Sequence, residues 1–126
     1  VYDYYYTAFH NPVNDAFVKA FQASQPKAQF YGPDTITYQN YTAILAAKAA
    51  VQKAGTDSGD AIIKVLPGLH FQSPKGTVYF RTDHLLSAPI AAFECMGDAS
   101  AAKGYKCPFA AAIPAAAVLP PVTAGS

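Results

Sequence analysis

The sequence has few charged residues. Of its 126 residues 13% are charged, and 9 basic residues against 8 acidic ones give a formal net charge of +1. No basic stripe or cluster of lysine and arginine stands out, so the surface charge that nucleic-acid binding requires is missing. The low charge, together with 52% hydrophobic residues, also argues against a disordered tail. We therefore expect a folded domain with no nucleic-acid partner.

Long apolar runs are also missing. The longest stretch of small apolar residues, Phe109 to Leu119, is mostly alanine and contains Pro114. A bilayer-spanning helix needs about 18 apolar residues in succession. The sequence has no initiator methionine, and its first residues lack the basic segment followed by an apolar one that a signal peptide has. Because its first nine residues have the pattern of a strand interior, we expect a fragment or a chain that has lost its N-terminal part.

Cysteine is scarce, with Cys95 and Cys107 alone. Each lies in a short β-like run, Ile90–Met96 or Tyr105–Ala112, and glycine, aspartate and serine between the runs favour a turn. A hairpin of this kind would bring the two side chains together, and a disulfide would indicate an oxidising compartment. The alternative is two unpaired thiols, one or both buried. Two thiols with no nearby histidine are too few ligands for zinc, so we expect no metal and no cofactor.

The first half of the chain has one strand-like segment and two helical ones. Five aromatic residues in Val1–Phe9 favour a strand. Asn11 followed by Pro12 then predicts a helix start, with the asparagine as N-cap. The segment Thr35–Ala54 has helical spacing of its apolar residues and is rich in alanine. Asp34 is its candidate N-cap and Gly55 is placed to end it.

The second half changes from helical to alternating spacing. A short helix is predicted around Ile62, Ile63 and Leu66, with Asp57 as its cap. Beyond Pro67 and Gly68 the pattern predicts four short strands and one terminal helical turn, at Leu69–Phe71, Thr77–Arg81, Ile90–Met96, Tyr105–Ala112 and Ala115–Val118. The order of elements predicts an α/β class, with helices packed on a sheet and a β hairpin segment after them.

Several segments form an ordered set of motifs, beginning with Asn14–Phe21, the segment from Tyr41 to Gly55, and Asp60–Leu66. In this order they resemble the branched-chain amino acid type of periplasmic solute-binding proteins. Asn14–Phe21 is similar to one helix of that family, and the segment from Tyr41 to Gly55 is similar to its alanine-rich helix. Asp60–Leu66 is similar to the short helix that follows. The remaining matches are the hairpin, the pair after it and the closing motif, at Gly68-Leu69-His70-Phe71, Thr77-Val78-Tyr79-Phe80-Arg81, Asp83-His84 and Ile113-Pro114-Ala115. The resemblance covers nearly the whole chain.

The resemblance implies the C-terminal portion of a fold in which two α/β lobes are joined by three crossing strands and close on a solute. Residues 1–88 would belong to the first lobe, with Val1–Phe9 as a crossing strand. Residues 89–126 would supply the closing β hairpin and tail of the second lobe, after a third crossing near Ser87–Ala91. The rest of the first lobe would come from the remaining N-terminal part of the same protein. Closure about the crossings is the expected motion.

Aromatic residues near the start are the candidates for the solute cleft, namely Tyr4, Tyr5, Tyr6 and Phe9. A wall of rings with hydroxyl tips suits a small solute with one apolar and one polar end. Successive strand residues point to opposite faces, so these residues could instead form the strand's core side. Tyr41 is a further candidate, although packing explains it as well.

The function implied by the resemblance is that of the substrate-binding component of an ABC importer. Such a protein would capture an amino acid, amide or aromatic acid in the periplasm and present it to a membrane permease, without catalysis of its own. One alternative is a ligand-sensing domain of a receptor or regulator with the same fold. Another is an isolated fragment with no binding activity. A hydrolase using Asp83 and His84 would need a nucleophile, and no motif supplies one.

Overall fold

The fold is known from a computed structural model, which describes residues 3–25, 32–101 and 104–122. Within these ranges, three helices are followed by seven short strands and one terminal helical turn. In chain order they are α1 (Pro12–Ser24), α2 (Thr35–Ala54), α3 (Gly59–Val65), β1 (His70–Ser73), β2 (Gly76–Phe80), β3 (Leu86–Ser87), β4 (Ile90–Phe93), β5 (Met96–Gly97), β6 (Tyr105–Lys106), β7 (Phe109–Ile113) and α4 (Ala115–Val118). The mixed helix and strand architecture predicted from the sequence is confirmed.

Helix α1 begins as the sequence predicts. The Asn11 side chain accepts hydrogen bonds from the backbone N–H groups of Val13 and Asn14, at 3.1 and 3.0 Å, and Pro12 occupies the first turn. These bonds satisfy N–H groups that have no partner inside the helix. The Asn11 amide also donates to the carbonyl of Pro74 at 2.8 Å. The start of α1 is therefore fixed against the β1–β2 turn.

Helix α2 has the predicted bounds at both ends. The Asp34 carboxylate accepts from the Thr37 backbone N–H at 2.8 Å and from the Thr37 hydroxyl at 2.7 Å. These bonds to the ionised form lower the pKa of Asp34. At the other end Gly55 takes a left-handed conformation with φ of 69°, which glycine adopts without steric cost. Local capping chemistry thus determines the length of the longest helix.

The predicted cap of α3 is wrong. Ser58, not Asp57, is the N-cap residue, and its side chain makes no capping hydrogen bond. The Ser58 backbone N–H instead donates to the Thr56 hydroxyl at 3.3 Å, so a small turn follows Gly55 directly. That turn moves Asp57 one residue too far from the first N–H groups of the helix to cap them.

Strands β1, β2 and β3 form an antiparallel sheet in that order. Phe71 pairs with Val78, and Phe80 pairs with Leu86. The first two strands were predicted with bounds that differ by one or two residues. Strand β3 has only two residues, which is too short for an alternating pattern to show in the sequence.

The last strands form the predicted hairpin in two pieces. Strand β4 pairs with β7 and β5 with β6, and the ladder shifts register after Ala92. The interruption lies where Cys95 and Cys107 face each other, and a disulfide joins them. The predicted bridge is therefore present, and it closes the hairpin between its two ladders.

Among the residues that the structure describes, two small clusters of buried side chains form around α2. Tyr4, Phe17 and Tyr38 form the first cluster, where α1 meets α2. The second cluster is Ala46, Phe71 and Val78, where α2 lies on the sheet. Val78 is fully buried. Helix α2 therefore contributes to both clusters, through Tyr38 to the first and Ala46 to the second.

The predicted strand at Val1–Phe9 is wrong for the part that the structure describes, which begins at Asp3. Residues 3–9 contain bends and a turn, closed by a hydrogen bond from the Ala8 N–H to the Tyr5 carbonyl at 3.0 Å. The Asn14 side-chain amide donates to the carbonyls of Tyr6 and Phe9, at 2.9 and 2.7 Å. These carbonyls are satisfied by a side chain rather than by a neighbouring strand. The aromatic rings serve packing against helices, which their density in the sequence could not distinguish from a sheet.

Candidate functional site

The five predicted solute contacts lie at one end of the chain's core, around the start of α1 and the first half of α2. The structure separates them into two groups. Tyr4 belongs to the first core cluster, and Tyr6, Phe9 and Tyr41 pack against that cluster. Tyr5 does not reach the cluster and contacts Tyr6 instead.

Tyr4 is the most deeply buried of the five, with 2% of its surface exposed. Its ring stacks on Tyr38 at a centroid distance of 4.5 Å and on Phe9 at 5.7 Å. Its hydroxyl donates to the Asn14 side-chain oxygen at 2.5 Å. Burial raises the pKa of Tyr4, and the nearby phenol of Tyr38 raises it further. Both the ring and the hydroxyl of Tyr4 are therefore engaged inside the core.

Tyr41 also packs against a ring of the core. Its side chain stacks on Phe17 with the ring centroids 4.3 Å apart and the planes 18° from parallel. Tyr41 is half-buried, so its position behind α1 supports the aromatic cluster.

Tyr5 and Tyr6 form a pair of half-buried rings, with centroids 5.3 Å apart. Tyr5 also contacts Phe93 of β4 at 5.6 Å, and Tyr6 covers Gly32. A β-carbon on Gly32 would lie 2.4 Å from the Tyr6 ring, so only glycine fits there. Burial raises the pKa of both phenols. Both hydroxyls are therefore neutral hydrogen-bonding groups at ordinary pH.

An open cavity of about 340 Å³ lies beside this pair. Tyr6 and Phe9 line it, so it contains two of the predicted contacts. The wall from α1 adds polar and charged groups, including Asp15 and Lys19, and His10 lies at the rim. The cavity thus combines an aromatic side with ionisable groups of both signs, which is the composition expected for a small polar solute.

A second cavity of about 430 Å³ lies between α2, the sheet and α4. Its walls are mainly apolar, with Ala43, Ala46, Phe80, Leu86 and Leu119 among the lining residues. None of the five predicted contacts lies there. Sequence reasoning missed this cavity because its residues come from distant segments and each has the pattern of ordinary core packing.

Polar residues, including Asp3, Thr42 and Lys75, line the same apolar cavity. The Thr42 hydroxyl is buried and makes no hydrogen bond within the described ranges. It lies beside the phenol of Tyr38. Burial raises the pKa of Tyr38, and the Thr42 hydroxyl opposes part of that change. The geometry of the two hydroxyls is nevertheless not that of a hydrogen bond. Lys75 forms an ion pair with Asp3 at 2.5 Å.

Asp83 and His84 lie in a surface turn. The Arg81 guanidinium binds both carboxylate oxygens of Asp83, and Arg81 Nε lies 3.0 Å from Oδ1. These hydrogen bonds lower the pKa of Asp83. His84 is exposed, with φ of 64°, and its N–H donates to the Arg81 carbonyl at 3.0 Å. Asp83 and His84 therefore form a hydrogen-bonded surface turn.

Metal ligands and membrane spans were searched in residues 3–25, 32–101 and 104–122. No group of three or more histidine, cysteine, aspartate or glutamate side chains is gathered there as a metal site would require. Among the helices of these ranges, none combines the length and the hydrophobicity that crossing a bilayer demands.

Comparison with known sequences decides the family. A family profile described as periplasmic binding protein matches residues 1–101 of the 126. The chain belongs to the periplasmic binding protein family. The match includes all five predicted contacts, both cavities' linings up to Ile90, and Cys95. No curated protein sequence matches the chain significantly.

Solved structures of this family agree in fold. An ABC-type branched-chain amino acid transporter from Rhodopseudomonas palustris is 27% identical over 90% of the chain, with a TM-score of 0.78. An ABC transporter structure from the same organism is 30% identical over 72% of the chain, with a TM-score of 0.59. A solute-binding protein of an ABC transporter from R. palustris BisB5, solved with 3,4-dihydroxybenzoic acid, is 20% identical over 83% of the chain, with a TM-score of 0.66.

The chain spans only 27 to 30% of the length of these proteins. It therefore matches one part of a two-lobed receptor fold, and most of each neighbouring structure has no counterpart in it.

Proposed function

We propose that this chain is the C-terminal portion of the substrate-binding component of an ABC importer. The observation that carries the proposal is the family match over residues 1–101. It is supported by two similar structures described as ABC transporters and by one described as the solute-binding protein of an ABC transporter. The disulfide between Cys95 and Cys107 supports a location in the periplasm, because structural disulfides persist in oxidising compartments. The partners would be a small solute and the membrane permease that receives it.

The lobe assignment follows from the same proposal. Residues 1–88 would belong to the first lobe and residues 89–126 to the second, with the remaining N-terminal part of the protein completing both. Each buried cluster of residues 3–88 is centred on α2, whereas the hairpin of residues 90–113 pairs only with itself among the described strands. This division of contacts supports a boundary near residue 88.

The solute would bind against Tyr6 and Phe9 in the cavity beside α1. An aromatic wall stabilises the apolar part of a solute by excluding water, and Lys19 or Asp15 could pair with a charged end. Tyr5 would contribute through its contact with Tyr6. Tyr4 and Tyr41 would support the aromatic wall from the core side. An amino acid, a small amide or an aromatic acid would satisfy this arrangement.

The test is a calorimetric titration of the protein with L-leucine, an aliphatic amide and 3,4-dihydroxybenzoate. We expect saturable binding of at least one of them. Replacing Tyr6 by alanine should weaken that binding by about tenfold or more, because truncating a buried aromatic contact costs about 1–2 kcal/mol. The matched control is Tyr79→Ala, since Tyr79 is 39% exposed, stacks on His70 and lines neither cavity.

Two results would contradict the proposal. The first is the absence of binding of every solute by protein that is shown to be folded. The second is an equal loss of affinity in the Tyr6 and Tyr79 variants, which would show that the aromatic wall does not contact the solute.

A further inference from the structure

Lys75 is a buried lysine, which is rare in proteins. It lies in the turn between β1 and β2, and only 1% of its side-chain surface is exposed. Burial lowers the pKa of its ammonium group, and the Asp3 carboxylate opposes that change. A buried charge is tolerated only when partners replace its lost water. The partners of Lys75 therefore indicate what the residue is for.

Those partners come from three separate segments. Lys75 Nζ lies 2.5 Å from Asp3 Oδ1, donates to the Pro89 carbonyl at 3.0 Å, and stands 4.9 Å from the ring centre of Tyr38. Asp3 begins the described chain, Pro89 precedes β4, and Tyr38 lies on α2. The ammonium group of Lys75 thus contacts the segment that contains Asp3, the segment that contains Pro89, and helix α2.

The turn that presents Lys75 is itself firmly held. The Lys75 backbone N–H donates to the Ser73 hydroxyl at 3.1 Å, and that hydroxyl donates to the Gly76 carbonyl at 3.0 Å. The Pro74 carbonyl accepts from the Asn11 side chain at the start of α1. The backbone of Lys75 is therefore held in place, so its side chain determines where its partners lie.

The two flanking segments, residues 3–9 and 88–93, also touch each other. Tyr5 and Phe93 contact across them at a centroid distance of 5.6 Å. Neither segment pairs with the β1–β2–β3 sheet among the described strands. Lys75 therefore joins both segments to the β1–β2 turn, beside the packing of Tyr4 in the first cluster and of Ala88 on the second.

We propose that Lys75 is a positioning residue that fastens residues 3–9 and 88–93 to the β1–β2 turn, so that both segments are anchored to the first lobe where they leave it. This inference rests on the proposed function, in which these segments cross between the lobes. Lys75 then determines where the pivot of closure lies without touching the solute. We name the contacts of Lys75 with Asp3 and Pro89 the Lys75 clamp.

The test is amide hydrogen exchange of the protein without solute, comparing wild type with Lys75→Met. Methionine keeps an unbranched side chain that is one atom shorter, and it removes the charge and the donors. We expect exchange in residues 3–9 and 88–93 to rise by about tenfold or more, whereas residues 45–52 of α2 change by less than about twofold. The matched control is Lys64→Met, which removes an exposed lysine from α3 and should alter neither segment.

A second variant distinguishes the clamp from ordinary packing. Asp3→Asn removes the counter-ion and leaves Lys75 as a buried, uncompensated charge. The clamp predicts faster exchange in residues 88–93 as well as in residues 3–9, although Asp3 contacts no residue of the second segment in the hydrogen bonds described. Should Lys75→Met fail to fold, this variant decides the question alone.

The inference is overturned if Asp3→Asn affects residues 3–9 only, or if Lys75→Met speeds exchange equally in α2 and in both segments. Because no solute is present, these outcomes are independent of the solute titrations. Failure of the clamp would leave solute binding intact, and failure of solute binding would leave the exchange result standing.

Discussion

Residues 3–88 and residues 89–122 are held together in different ways. The first region buries two clusters of aromatic and aliphatic side chains around α2. Among the described side chains of the second region, only Ala91 and Cys107 are buried, and its order depends on short ladders and one disulfide. Side-chain packing therefore stabilises the first region, whereas the disulfide between Cys95 and Cys107 stabilises the second.

The largest expected effect comes from emptying the aromatic cluster. Phe17→Ala removes a ring that is 5% exposed and contacts Tyr4 and Tyr41. We expect a loss of about 3–5 kcal/mol in the free energy of unfolding, because a cavity remains where the ring was. Chemical denaturation measures it, with Lys19→Ala as the exposed control on the same helix. A loss below about 1 kcal/mol would show that packing at this cluster does not stabilise the first region.

The next effect concerns the disulfide. Replacing Cys95 and Cys107 by serine should cost about 2–4 kcal/mol, since the link closes a short loop in the unfolded chain. The loss should be confined to the hairpin, so hydrogen exchange should quicken in residues 90–113 and remain unchanged in α2. Equal quickening in both regions would break the comparison, because it would mean that the disulfide stabilises the first region too. Mass spectrometry before and after reduction confirms that the wild-type bridge is formed.

A smaller effect is expected at the cap of α2. Asp34→Ala should cost about 1 kcal/mol, because the Thr37 N–H loses its acceptor. The pKa of Asp34 is lowered on folding, so its contribution is present above the ordinary value of 3.8 and is lost as pH falls through the lowered value. Asp34→Asn should keep most of the cap and lose this dependence below pH 3.8. Thermal melts of both variants across the acid range measure the difference, and parallel pH profiles would contradict it.

Sequence reasoning succeeded where local chemistry decides structure. The bounds of α2 follow from Asp34 and Gly55, and the start of α1 follows from Asn11. The hairpin follows from two β-like runs around a turn. In each case the determining groups lie within a few residues of the feature, so the sequence displays them.

It failed where distant groups decide. The aromatic run of residues 3–9 is not a strand because the Asn14 side chain binds its carbonyls. The stacking of Tyr4 on Tyr38 of α2 is likewise invisible in a local pattern, and the role of Tyr4 as a solute contact stays a prediction. Lys75 resembles any lysine in a solvated turn. Only the fold shows that Asp3 and Pro89 surround it.

The most direct test of the account is hydrogen exchange of the protein with and without the solute that binds best in the titrations. The account predicts slower exchange at residues 3–9 and 88–93 and in the first turns of α1, with little change in residues 45–52. That pattern would link the solute to the aromatic cavity and to the crossing segments together. Exchange that is unchanged everywhere, or slowed only in the hairpin, would contradict solute capture at this site.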